Sequence, residues 1–148
     1  MDRGTAVLIT AFTGGLIALQ APINAGLGRV VGSFQAAFVS FAIGTMLLCA
    51  IAVVARGGLG QVAEVGNVPA WYYLTGGLLG AAYVTTVLVT VRTLGAGGVT
   101  AATVAGQLTA SMVVDQFGLL GVEKSPITAL KLLGVLLLAA GTFLIVRE

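Results

Sequence analysis

Two sets of polar side chains lie inside otherwise apolar stretches of this sequence, each at helical spacing. Thr13, Gln20 and Asn24 share one face of a helix, beside Pro22. Thr103, Gln107, Ser111 and Asp115 follow one another four residues apart, a gently spiralling stripe with a carboxylate at its end. Pro22 has no N–H, so the carbonyl four residues earlier, on Ala18, is free for a neighbour or a ligand. Amides and hydroxyls in these positions suit reversible hydrogen bonding to a small molecule. They also suit hydrogen bonds between helices. We take Gln20, Asn24, Gln107 and Ser111 as candidate substrate-binding residues, the two stripes lining one aqueous cavity. For Thr13, Thr103 and Ser111 the competing role is an interhelical hydrogen bond. Asp115, the one carboxylate near a helix interior, either handles a proton or cation, as a candidate coupling residue, or pairs at headgroup level with a basic residue such as Lys131.

Other chemistry is poorly supplied. The chain has no His, and its one cysteine, Cys49, lies in an apolar run, so neither a structural zinc site nor an intrachain disulfide is expected. No nucleophile sits beside a base and no glycine loop precedes a soluble helix, so neither an enzyme nor a cofactor is expected. Seven Lys and Arg against five Asp and Glu give a net charge of +2 without a basic cluster, which argues against nucleic acid as a partner.

The elements that must position these residues are membrane helices. Of 148 residues 58% are hydrophobic and only 8% charged, and the mean hydropathy is +1.09. Such a surface faces lipid rather than water. Uncharged stretches run from Gly4 to Gly28, Val30 to Ala55, Val65 to Val91 and Thr93 to Val114, with a last one from Ser125 to Val146 broken only by Lys131. A hydrocarbon core of about 30 Å takes about 20 helical residues, so each stretch spans once. The pattern predicts an all-α membrane protein, a single transmembrane domain over 1–148, with helices at 5–25, 34–55, 70–91, 98–117 and 127–146.

Turn residues punctuate these spans. Gly26 to Arg29 with Gly32 and Ser33 are expected to end the first helix and start the second; Arg56, Gly57 and Gly58 end the second. Asn67 to Pro69 precede the third, Gly95 to Gly98 make a tight hairpin, and Pro126 falls in the first turn of the fifth. No cleavage site follows the first apolar run, so it reads as a span rather than a signal peptide. Small residues recur at four-residue spacing in Ala36, Ser40 and Gly44, in Gly76 and Gly80, and in Ala102, Gly106 and Ala110, a pattern that lets helices pack closely. Trp71 and Tyr72 read as an interfacial belt. Arg29 and Arg92 both follow odd-numbered spans and share a membrane side, where they anchor to lipid phosphates or attract an anionic substrate.

Several segments together resemble the YdcZ family of the drug/metabolite transporter superfamily. They are Gln20-Ala-Pro-Ile-Asn24, Gly32-Ser33, Ser40-Phe41-Ala-Ile-Gly44-Thr45, Pro69-Ala-Trp71, Gly76-Gly77-Leu-Leu-Gly80, Gly106-Gln107-Leu with Ser111, and Asp115-Gln-Phe-Gly118. The resemblance covers essentially the whole chain. It implies a multi-pass protein of the bacterial inner membrane and a five-helix half-transporter. A second copy or a paralogue would complete a ten-helix inverted-repeat transporter for small metabolites or drugs. Small multidrug exporters, another branch, rely on a first-helix carboxylate. Here that helix offers Gln20 and Asn24 instead, so that route of proton coupling is not implied. A non-transporting assembly or regulatory subunit and a passive pore are the alternatives.

Charge placement bears on the second copy. Five spans put the termini on opposite sides of the membrane. The N-terminal side holds Arg3, Arg56, Lys124 and Lys131, and the other side holds Arg29, Arg92 and Arg147, a bias of 4 − 3 = 1. Orientation normally follows an excess of Lys and Arg in cytoplasmic loops. So small a bias predicts dual topology and an antiparallel homodimer, with an oppositely oriented paralogue as the alternative partner.

Overall fold

The computed structural model describes residues 2–56 and 58–147, and all of its regular structure is helical. α1 covers Arg3–Val31, α2 Ser33–Arg56, α3 Ala70–Phe117 and α4 Ala129–Arg147, with 3₁₀ turns at Gly60–Asn67 and Leu119–Gly121. Four of these helices are long and apolar enough to cross a membrane. α3 alone has 48 residues, about 72 Å at 1.5 Å per residue and more than twice a hydrocarbon core. It is broken at Gly95, where φ is 68° and ψ 170°. The resulting segments, 70–94 and 96–117, are each long enough for one crossing.

Two helix breaks depend on glycine. At Gly32 (φ 94°, ψ 152°) α1 ends and α2 begins one residue later, and Gly95 breaks α3. Both lie in a backbone region that residues with a Cβ essentially never enter. This corrects the expected boundaries. α1 runs through Gly26 and Gly28 to Val31, and Ala96 to Gly98 are helical, so only Gly32 and Gly95 interrupt the two connections. α4 begins at Ala129, not 127, because Thr128 Oγ1 accepts the N–H of Lys131 at 3.2 Å and caps it. Pro126 therefore precedes the helix instead of sitting in its first turn. The expected end of α2 holds at Arg56, whereas Gly57 lies outside the described residues. α1 continues through Pro22 without interruption. At its start Asp2 accepts from the Thr5 hydroxyl and, at 2.9 Å, from the Thr5 N–H. These bonds, the side-chain one first, hold the Asp2 carboxyl below its ordinary range.

The chain forms two compact units, Met1–Arg92 and Thr93–Glu148. In the first, α1 and α2 are antiparallel partners, and the first segment of α3 meets them most closely along 87–92. Small residues make that approach close. Ala21, Asn24, Ala25 and Gly28 of α1 are buried, as are Ala36 and Ala37 of α2 and Val87, Leu88 and Val91 of α3. A Cβ on Gly28 would stand 3.3 Å from Arg92 Nη2 and 3.6 Å from Leu88 Cδ2. Arg92 also reaches Ser33 Oγ at 3.5 Å. Away from this cluster the helices separate: among the described residues, Cβ atoms built on Gly14, Gly15, Gly44, Gly76 or Gly77 would meet nothing within 4 Å. The expected small-residue stripes thus pack only in part. Ala36 is fully buried and Gly80 meets Phe41, while Gly44, Gly76 and Gly106 touch no neighbour.

In the second unit, Gly98 and Val99 are buried, and a Cβ on Gly98 would lie 3.5 Å from Val146 of α4. Thr142 donates to the Ala101 carbonyl at 3.1 Å, tying α4 to 96–117. The turn between them folds back through Ser125 N–H to the Asp115 carbonyl at 2.8 Å and Ile127 N–H to Gln116 Oε1 at 2.7 Å.

Candidate substrate site

Gln20 stands on α1 just before the buried turn that begins at Ala21, so its side chain meets the place where the first unit's helices part. It is exposed and borders three cavities. The largest, about 370 Å³, runs along α1 past Thr13, Leu16, Ile17 and Ile23. A second, about 240 Å³, lies between α1, α2 and α3, against Ser40, Phe41, Gly44, Thr45, Leu48 and Val84. The smallest, about 10 Å³, reaches inward to Asn24, Tyr83 and Leu88 and has room for about one water molecule.

Asn24 has a different position from Gln20, although both share a helix face. Its side chain is 6% exposed, and its Oδ1 accepts a proton from Ser40 Oγ at 2.6 Å. Asn24 therefore fixes α2 against α1 and aims Ser40 at the cavity wall. Gln20 keeps a carboxamide at the cavity surface, where it both donates and accepts. Among the described residues, these three walls carry no acidic or basic side chain.

The second polar stripe lies in the other unit, on 96–117. Gln107 and Ser111 are exposed and Asp115 is half-buried. Ser111 donates to the carbonyl of Gln107 on its own helix. Thr13 does the same to Ile9 at 2.9 Å. Among the described residues, neither hydroxyl bonds to another helix. Lys131 does not serve Asp115: its ammonium donates to Ser125 Oγ at 2.7 Å, the Pro126 carbonyl at 3.1 Å and the Ser125 carbonyl at 3.3 Å. The structure thus gathers Gln20 and Asn24 at one set of cavities and places Gln107, Ser111 and Asp115 along one helix of the second unit.

Three wall residues escaped the sequence reading as site residues: Ser40, Thr45 and Tyr83. Ser40 was absorbed into a small-residue stripe. A signal for Tyr83 existed, since a phenol far from either end of an apolar helix needs a polar partner or water. Among the described residues no group of three or more metal-ligating side chains gathers.

Neither the curated proteins nor the solved structures contain a match to this chain. A family model described as "Putative inner membrane exporter, YdcZ" matches residues 5–144. The matched region takes in both polar sets and reaches every helix from α1 to α4. A chain of apolar spans matched over nearly its whole length in this way belongs to the YdcZ family, as a multi-pass protein of the inner membrane.

Proposed function

We propose that this chain is half of a secondary exporter of small molecules, and that two copies in opposite orientations complete a ten-helix transporter working by alternating access. The observation that carries the reading is the cleft around Gln20. It is pinned shut by buried small residues at one end, open along the rest, and lined by hydrogen-bonding groups within apolar helices. Gln20 contacts cargo, Asn24 holds the wall, Gln107 and Ser111 supply the second unit's polar contacts, and Asp115 couples transport to a proton or cation. The family's description as an exporter supports outward transport.

The test is counterflow in liposomes with two versions of the chain, each biased to one orientation by extra Lys in its loops. The versions are expected to transport together and fail singly. Equal activity of either version alone would sink the antiparallel dimer. Flux without saturation would make the protein a pore, and no flux at all would leave it an assembly subunit.

A further inference from the structure

We infer that the cavity between Gln20 and Phe41 takes an uncharged small molecule with an aromatic or similarly flat apolar body and a hydrogen-bonding group. The inference rests on the export reading above. The wall has two kinds of surface. Gln20, Ser40 and Thr45 form a polar arm, while Phe41, Leu48 and Val84 form an apolar one. The Ser40 proton is already given to Asn24. That leaves the Gln20 carboxamide, the Thr45 hydroxyl and the lone pairs of Ser40 to meet the cargo. A cargo with one amide or hydroxyl can both donate to and accept from this arm.

Charge is disfavoured by the same wall. Among the described residues, no Lys, Arg, Asp or Glu borders any of the three cavities that Gln20 shares. An ion entering would lose its hydration and gain no counter-ion. Recognition of a quaternary ammonium takes a cage of several rings, and this cavity presents one, Phe41. That ring has a defined seat, because a Cβ on Gly80 would stand 3.4 Å from its Cζ and 3.6 Å from its Cε1. Gly80 is therefore a positioning residue: it lets the ring lie back against α3 and keeps the cavity open. A larger residue at 80 drives the ring into the space the cargo needs.

Photolabelling of the full chain in lipid nanodiscs tests this with three benzophenones of one scaffold. They are neutral 4-benzoyl-N-methylbenzamide, anionic 4-benzoylbenzoate and cationic (4-benzoylbenzyl)trimethylammonium. The neutral probe is expected to label 40–48 or 80–84 saturably, with competition by N-methylbenzamide. Gln20→Leu and Gly80→Leu should each weaken that labelling about tenfold, the effect of losing one hydrogen bond or its equivalent in shape. If Gly80→Leu fails to fold, Thr45→Val, which exchanges a hydroxyl for a methyl, carries the comparison with a smaller loss in the same direction. Stronger saturable labelling by either charged probe overturns the cargo class and leaves the export reading standing. Absence of saturable labelling by all three, or unchanged labelling in Gln20→Leu, overturns the site. Saturable neutral labelling without counterflow of that probe upholds the binding class and removes export.

Discussion

Asn24 and Gln20 show how far residue-scale reading reaches. Both were legible as a polar pair on one helix face, since spacing alone places them there. Spacing does not say which of two residues one turn apart falls under a neighbouring helix. Asn24 is covered where Ser40 of α2 meets it, and Gln20 is left open along the cavity beside it. The Asn24–Ser40 bond should then behave as a structural contact. Ser40→Ala and Asn24→Leu are each expected to lower stability, with a coupling of about 0.6 kcal/mol in a double-mutant cycle, the average for hydrogen bonds between membrane helices. Unfolding in mixed micelles measures it, and additive effects would show that the two side chains act independently. Asp115 carries a separate expectation. Its carboxylate is not taken up by Lys131, whose ammonium serves Ser125 and Pro126. Asp115→Asn should abolish the pH dependence of uptake while preserving exchange of substrate for substrate. An unchanged pH profile would assign Asp115 a structural part.

At the scale of elements, the apolar runs announced the helices, but two ends were misjudged where Gly26, Gly28, Gly97 and Gly98 were read as stops. In a membrane helix glycine is as often a close-packing residue, and Gly28 against Leu88 and Arg92 is one. Turn chemistry decides only where the backbone leaves the region open to other residues, which requires coordinates. This separates two kinds of glycine experimentally. Gly95 has open space around its missing Cβ but a φ of 68°. Gly95→Ala should therefore cost about 1–3 kcal/mol from backbone strain alone. Gly76 has the same open space within a regular helix, and Gly76→Ala should be neutral or gain up to about 1 kcal/mol. Unfolding of the two variants side by side checks the contrast. Equal effects would mean that α3 does not depend on the break at Gly95.

For the molecule as a whole, the sequence made the class and the family visible, because hydropathy and span length need no tertiary information. The partner was not legible in the same way, since a charge bias of one is only a near-absence of instruction. A C-terminal reporter should accordingly appear on both sides of the membrane in comparable amounts. A one-sided signal in a cell lacking any paralogue, with transport intact, would refute the dual orientation. The single residue between α1 and α2 gives this a biosynthetic consequence. Gly32 alone joins these two antiparallel helices, so little chain is free to separate them. The two would, under the dual-orientation reading, insert together as one hairpin, with Arg3 at its open end and Arg29 near its tip. Under the dual-orientation reading, the choice of side falls chiefly to that hairpin. Nascent chains then emerge as a mixed population, and a cell that makes only this polypeptide supplies both members of the pair from a single message.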